Sequence, residues 1–330
     1  MNVKLEDLVG NNFYSIVAEE EGKYESSDSG DDKFIMLPVV DFVFKLLFGD
    51  EKRTDRLGSL LSGILKLPKE EFENISILNS ELQKDFNDDK YGILDIRASL
   101  KDGKQVNIEI QVYPLALMPE RTIFYWAKMY TRQIKKGDSY RELKKCITIN
   151  ILDYDFPLAK KVHSVYSLIE EETGGRLTDV EEIHFLDLEK LRNGMDIAGL
   201  DASLLKWIRF LASKSKGEFE MLARNDEEIK AAYEYLQEIS ADDKKRMEYE
   251  AREAWLMDQR TREIVAREEG MAEGKAEGKA EGKAEGKAEG IAEGLLIVAK
   301  NALKRGMDVA SIEELTGLSS AEIEKLKRSI

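Results

Sequence analysis

Apolar and polar positions between residues 34 and 152 alternate with two different periods, which predict helices and strands in a definite order. Apolar residues recur at helical spacing from Asp41 to Leu65, and Gly49 is a candidate break in that helix. Three segments rich in alternating or β-branched residues predict strands, and they are followed by a second helix and a buried strand, at 75–82, 91–100, 105–112, 120–136 and 146–152. The predicted order is αβββαβ.

The rest of the chain is mainly helical in pattern. Two further strands are expected at 164–169 and 182–188, followed by helices at 203–213, 226–239 and 241–269. From 271 to 294 the motif x-Ala-Glu-Gly occurs six times in succession, and the remaining residues predict short helices. Residues 1–33 are acidic and include a Ser/Asp/Gly run, which predicts a flexible extension.

Charge is distributed unevenly along the chain. The 50 Lys+Arg and 65 Asp+Glu of the 330 residues leave a net charge of −15, which argues against coating nucleic acid by bulk positive charge. Residues 34–150 carry 19 basic and 17 acidic side chains, and this is the one block without a negative balance.

Few side chains are available for cysteine or histidine chemistry. Cys146 is the sole cysteine, and His163 and His184 are the only histidines. This excludes a disulfide framework, a Cys/His zinc module and most histidine-based triads, so hydrolytic chemistry has to come from carboxylates. Both histidines lie in strand-like segments and are interpreted as structural. Because no secretory signal or membrane-length apolar run is present, a cytoplasmic protein without a membrane partner is expected.

The strand at 105–112 places apolar side chains on one face and Gln105, Asn107, Glu109 and Gln111 on the other. Taken alone, this alternation is typical of an edge strand with a solvated face. The preceding strand, which contains Asp95, suggests a second interpretation in which two carboxylates meet across a hairpin.

The loop from Lys101 to Lys104 can close in two ways, and only one of them joins the carboxylates. A two-residue Asp-Gly turn places Asp95 and Glu109 on opposite faces of the sheet. A three-residue loop with Gly103 in the left-handed conformation makes them cross-strand neighbours. Since two like charges about 5 Å apart repel, a cation is expected between them. Magnesium accepts one or two carboxylates and retains water and phosphate, and Gln111 could orient either, which points to metal-assisted phosphodiester hydrolysis.

These motifs resemble the PD-(D/E)XK nuclease superfamily in its Glu-x-Gln form, and most closely the Rpn family of recombination-promoting nucleases, often labelled transposases. The similarity spans about residues 38–155, roughly a third of the chain. The segments that carry it are 41–49, 93–97, 107–111, 121–125, 128–130 and 149–152, together with Gln133, Gly137 and Tyr140. The resemblance implies a restriction-endonuclease-like α/β fold with a mixed sheet, followed by a mainly helical C-terminal region. It also implies Mg²⁺- or Mn²⁺-dependent DNA cleavage linked to DNA mobility or to defence against foreign DNA.

By the same resemblance, Asp95 and Glu109 are the metal ligands, and Gln111 takes the catalytic position usually held by lysine. Gln cannot stabilise developing charge as an ammonium does, and Lys104 or Lys128 is a candidate to compensate. Asp41 matches an acidic position that supplements the metal site in this superfamily. Its alternative role is to cap the first helix.

The helix at 120–136 is expected to contact DNA. A helical wheel anchored on Arg121 groups a basic face against an apolar face of Ile123, Ala127, Tyr130 and Ile134. The proposed nucleic-acid-binding residues are Arg121, Tyr125, Lys128, Arg132, Lys135 and Lys136. A solvated face is the alternative; contacts to the phosphate backbone would carry little base specificity.

The C-terminal segments favour assembly. In the 271–294 repeat every i, i+4 charge pair is like-charged, and a glycine recurs at every fourth position, so in isolation a poor helix is expected. Self-association into a homo-oligomer and a flexible spacer are the two alternatives. A helical hairpin with a Ser319/Glu322 capping box follows, and it resembles a helix-turn-helix; its acidic helices favour a protein–protein module over a DNA-binding one.

The sequence predicts an organisation in five parts and leaves two alternative functions. The parts are the acidic extension at 1–33, a nuclease-like domain at 34–190, a helical region at 191–269, the repeat at 271–294 and a helical hairpin at 295–330. The first function is a Mg²⁺-dependent DNA endonuclease. The alternative is a catalytically inactive DNA-binding or scaffold protein that keeps the nuclease fold.

Overall fold

A computed structural model describes residues 34–79, 81–82, 92–93, 95–115, 117–195 and 197–329, so the predicted extension at 1–33 lies outside the described residues. The helices are α1 Asp41–Phe48, α2 Thr54–Leu65, α3 Met118–Thr131, α4 Leu188–Arg192, α5 Ala202–Ala212, α6 Lys216–Ala223, α7 Glu227–Ser240, α8 Asp243–Lys304, α9 Val309–Thr316 and α10 Ser320–Lys327. The strands are β1 Ser76–Leu78, β2 Glu81–Leu82, β3 Gly92–Ile93, β4 Ile96–Ser99, β5 Gln105–Gln111, β6 Cys146–Leu152, β7 His163–Tyr166 and β8 Glu181–Asp187.

A mixed sheet with the strand order β1-β4-β5-β6-β8-β7 is the centre of the fold. Strands β5, β6 and β8 run parallel, whereas β1, β4 and β7 join antiparallel. The short strands β2 and β3 form a separate pair. The predicted α/β class and αβββαβ order are confirmed. The break at Gly49 is confirmed as well, because α1 ends at Phe48 and α2 begins at Thr54.

The main hydrophobic core covers one face of the sheet. Apolar side chains of β5 and β6 face α1, α2, α5 and α7 in a single buried cluster that includes Phe44, Phe48, Trp207 and Leu236. Helices α2 and α5 approach closely at Gly63, where a Cβ atom would lie 2.5 Å from the backbone nitrogen of Leu204. The helices at 202–240 therefore share one core with the sheet.

The opposite face is covered by α3 and is partly polar. A smaller apolar cluster around Met118, Tyr154 and Phe185 packs there. Next to it, the Thr122 hydroxyl donates to Asn150 Oδ1 at 3.3 Å, and Asn150 donates to the His184 carbonyl at 3.1 Å. A row of polar side chains on the sheet is thus buried under α3, which has consequences for the site described below.

The long helix α8 runs through the Ala-Glu-Gly repeat, which is therefore helical as part of a longer helix, whereas the expectation of a poor helix concerned the isolated segment. Helical turns on both sides of the repeat remove the cost of nucleation, which is the step that an isolated segment of this composition fails. Every side chain from 271 to 294 is exposed.

The chain divides into two compact units at residues 256 and 257. In the second unit α9 and α10 form the predicted helical hairpin, and both hydrogen bonds of the Ser319/Glu322 capping box are present. Within the described part of the chain, no helix has the length and apolar character needed to cross a bilayer.

Candidate active site

The β4–β5 hairpin closes through the three-residue loop, which is the register that joins the two carboxylates. Gly103 adopts the left-handed conformation with φ of +85°, and the Leu100 amide donates to the Lys104 carbonyl at 2.8 Å. Ile96 pairs with Ile108, so the register continued by one residue places Asp95 opposite Glu109. The alternative two-residue turn is wrong, since it would shift this pairing by one position.

Glu109 lies on a central strand, so the interpretation of β5 as a solvated edge strand is also wrong. Its side chain is 4% exposed and is held from two directions. Asn107 donates to Oε1 at 3.2 Å, and Arg121 on α3 donates to Oε2 at 3.3 Å. Burial under α3 thus turns the polar face of β5 into an internal carboxylate site.

Asp95 directly precedes β4, and its side chain contacts both the hairpin and helix α1. Its Oδ2 accepts a hydrogen bond from the Ile110 amide at 2.9 Å, and its Oδ1 lies 3.0 Å from Nζ of Lys45 on α1. The side chain is 13% exposed. By the register the two carboxylates are cross-strand neighbours, and each binds a cationic side chain from a different layer of the fold.

Burial dominates the electrostatics of both carboxylates. It raises the pKa of Asp95, and the charge of Lys45 offsets only part of that increase. Burial likewise raises the pKa of Glu109, with Arg121 lowering it and the neighbouring Asp95 raising it further. A site that holds two acids against a desolvation cost favours a cation.

A cavity of about 610 Å³ opens beside Asp95. It is lined on one side by the helix α8 and on the other by side chains that the sequence had singled out, namely Asp41, Asp95, Gln111 and Arg121. Asp41 does not cap α1, because Val40 occupies the N-cap position without a side-chain bond. Instead both carboxylate oxygens of Asp41 accept hydrogen bonds from Arg252 at 2.7 Å. The N-cap alternative is therefore wrong.

Comparison with protein-family models identifies the family to which the fold belongs. Residues 38–264 match the model described as the PD-(D/E)XK nuclease family transposase. The chain belongs to this family. Residues 292–328 match a second model, described as the Rpn/YhgA-like nuclease family, C-terminal HTH domain, and this range contains the hairpin of α9 and α10. Neither a curated protein nor a solved structure gave a match.

Membership in this nuclease family explains the αβββαβ order and the helix-turn-helix hairpin of α9 and α10. The match extends over α4 to α7 and into α8, well beyond the third of the chain in which the sequence resemblance was recognised. Nucleases of this superfamily generally use divalent metal ions.

The residues present fit a magnesium ion. Within the described ranges no three His, Cys, Asp or Glu side chains converge on one metal position. Magnesium does not require such a cluster, because it is commonly held by one or two carboxylates and keeps water or phosphate in its other positions. Asp95 and Glu109 supply two carboxylates, and Gln111 at the cavity wall supplies an amide oxygen.

The predicted basic face of the helix is only partly correct. Tyr125 is 5% exposed and packs in the interior, whereas Ile123, assigned to the packing face, is 53% exposed. The helix ends at Thr131, so Arg132, Lys135 and Lys136 lie on the turn that follows it. Tyr125 is consequently unable to stack on a base.

The lysine that binds Asp95 is neither of the two that the sequence offered to compensate for Gln111. Lys104 binds Asp102 in the hairpin turn, and Lys128 lies over the ring of Phe124 at 5.1 Å. Lys45 is the lysine beside Asp95, and sequence reasoning missed it. Its position four residues after Asp41 on one helix face was the signal, since i and i+4 side chains are neighbours.

Proposed function

We propose that this protein is a Mg²⁺-dependent DNA endonuclease in which Asp95 and Glu109 bind the metal ion. The observation that supports the proposal is the hairpin register, which makes the buried Glu109 a cross-strand neighbour of Asp95 at the wall of an open cavity. A bound Mg²⁺ would supply Lewis-acid polarisation of a phosphate and activation of water. Mn²⁺, which also takes oxygen ligands, is the natural substitute.

Other side chains of the protein orient the two acids and contribute positive charge to the site. Asn107 fixes one oxygen of Glu109, and the Ile110 amide fixes one oxygen of Asp95, so both acids are oriented before any ligand arrives. Lys45 presents an ammonium group 3.0 Å from Asp95, where it can stabilise charge on a phosphate that Gln111 cannot. Gln111 positions the phosphate through its amide.

DNA would be held by positive side chains after α3 and by the C-terminal domain. Lys135 and Lys136 are exposed, and Lys128 and Arg132 are partly exposed on the same stretch of chain. Phosphate contacts from such residues fix the position of the duplex without reading its sequence. The HTH match supports DNA binding by the hairpin of α9 and α10. The acidic side chains of these helices were the reason that the sequence alone favoured a protein partner.

The proposal includes a role in DNA recombination or mobility, which the transposase description of the family supports, or in defence against foreign DNA. Self-association through the C-terminal region, in a cytoplasmic protein, completes the proposal. The fully exposed repeat offers alternating charged and small side chains to a neighbouring helix. Light scattering of a chain lacking residues 271–294 tests the association, and an unchanged oligomer would refute it.

The central test is plasmid nicking by the full chain with Mg²⁺, compared with Asp95→Asn and Glu109→Gln. Loss of a metal ligand removes several kcal/mol of transition-state stabilisation, so each variant should lose about 100-fold or more in rate. Asp102→Asn is the matched control, because Asp102 lies on the same hairpin but binds Lys104 in the turn. It should keep the activity of the parent chain.

Three results bear on the alternatives. Nicking that needs Mg²⁺ and disappears in both site variants supports the nuclease. DNA binding without turnover under any metal condition supports the inactive DNA-binding alternative. Nicking that survives in both site variants would show that a different site cleaves DNA.

A further inference from the structure

Each acidic side chain of the candidate site has a cationic partner, and Arg252 differs from the other two partners in its origin. Lys45 on α1 binds Asp95, and Arg121 on α3 binds Glu109. Both helices pack directly on the sheet that carries the carboxylates. Arg252 comes from α8, 211 positions after Asp41 in the sequence.

Arg252 binds both oxygens of the Asp41 carboxylate. Arg252 Nε donates to Oδ1 and its terminal nitrogen donates to Oδ2, each at 2.7 Å. The guanidinium carbon also lies 4.3 Å from the ring centroid of Trp255, one turn later on the same helix. A bidentate pair of this kind is among the stronger hydrogen-bonded ion pairs in proteins.

The first turns of α8 are anchored, which keeps Arg252 in place. Tyr249, one turn before Arg252, is buried and lies edge-on against Phe34 with ring centroids 5.7 Å apart. Its hydroxyl donates to Glu253 at 2.7 Å, and the Met36 amide donates to the Ser240 hydroxyl at 3.0 Å just before α8 begins. The guanidinium is therefore held in position at the wall of the cavity, together with Ala251, Trp255 and Leu256.

A guanidinium and a divalent cation cannot both be close to one carboxylate without strong repulsion. We propose that Arg252 competes with the divalent cation for Asp41, so that the first turns of α8 lower the metal affinity of the cavity. This inference rests on the proposed function, because it takes the cavity to be a metal site. Asp41 becomes available as a metal ligand only when Arg252 leaves it, which makes Arg252 a restraint on loading of the site.

Calorimetric titration of Mn²⁺ into the full chain tests the competition without relying on activity. Arg252→Ala should bind Mn²⁺ more tightly than the parent chain, by on the order of tenfold for contacting groups. Asp41→Asn should bind it more weakly, and adding Arg252→Ala to Asp41→Asn should give no further gain. Arg252→Gln, which keeps much of the side-chain volume and removes the charge, should repeat the gain if the alanine variant folds poorly.

Arg262→Ala serves as the matched control, since it removes the same side chain from an exposed position of the same helix. It should leave the affinity unchanged. Unchanged or weaker Mn²⁺ binding in both Arg252 variants would overturn the inference while leaving the metal site intact. An equal gain in the Asp41→Asn background would also overturn it, because the effect would then be one of general charge. Absence of any Mn²⁺ binding that depends on Asp95 would overturn the inference and the proposed function together.

Discussion

Gly103 sets the hairpin register on which the candidate site depends, and replacing it with alanine measures that contribution. Its φ of +85° lies in the left-handed region, which costs an L-residue about 1–2 kcal/mol. The added Cβ would lie 3.3 Å from Cγ of Lys144, a flexible side chain that can move away. The steric cost is therefore small, and Gly103→Ala should lower the free energy of unfolding by about 1–2 kcal/mol.

Urea unfolding followed by tryptophan fluorescence provides the measurement. Gly217→Ala is the matched control, because Gly217 lies in α6 and a Cβ there meets nothing within 4 Å. Alanine in that helix should be neutral or stabilising by up to about 1 kcal/mol. If Gly103→Ala were as harmless as the control, residue 103 would not adopt a left-handed conformation, and the register argument would fail.

Two further predictions concern the core and the histidine pair. Gly63→Ala should destabilise the protein by about 3 kcal/mol, because the Cβ would lie 2.5 Å from the Leu204 nitrogen and force α2 and α5 apart. At Gly58 the nearest atom to an added Cβ is 3.2 Å away. A loss of stability in Gly63→Ala no greater than in Gly58→Ala would contradict the prediction. Burial beside His184 lowers the pKa of His163 to about 4, so below about pH 6.5 the unfolded chain binds a proton that the folded chain does not. The free energy of unfolding should therefore fall by about 2 kcal/mol as the pH is lowered from 7 to 5. Urea unfolding of His163→Gln at the same pH values should lack this part of the pH dependence.

Sequence reasoning succeeded where the structure is determined locally. The loop between Lys101 and Lys104 contains a glycine suited to a left-handed position, and loop length fixes the register of the strands that it joins. The pairing of Asp95 with Glu109 was one of the two registers that these facts allow, and the left-handed Gly103 of the structure decides between them. The capping box at Ser319 was equally readable, because both partners lie within one helical turn.

The face of α3 was predicted wrongly because the wheel was oriented by charge. The helix packs through Met118, Thr122, Tyr125 and Met129, a set with regular helical spacing that was present in the sequence. Thr122 was not part of the predicted apolar face. It lies against the polar row on β5 and β6, so a polar residue is the one that fits there.

Long-range contacts could not be predicted from the sequence, for a different reason. No local pattern connects Arg252 to Asp41, and nothing in the spacing of α8 shows which side chain reaches a cavity built by the N-terminal half of the chain. The helix α6 was missed although its Ser215/Glu218 capping box was readable, since its single fully buried residue, Phe219, gives a weak apolar pattern.

Gln111 can be understood from the charges around it. Lys45, Arg121 and Arg252 are the cationic side chains among the described residues that line the cavity, and each binds a carboxylate of the site. A lysine at position 111 would add a fourth positive charge to a cavity that, in the proposed function, admits a divalent cation, and like charges at such distances repel strongly in a partly buried site. A neutral amide avoids that repulsion, while Lys45 keeps an ammonium group 3.0 Å from Asp95. In the proposed function, the departure from the commoner lysine pattern is thus compatible with catalysis, because α1 instead of β5 would supply the positive charge.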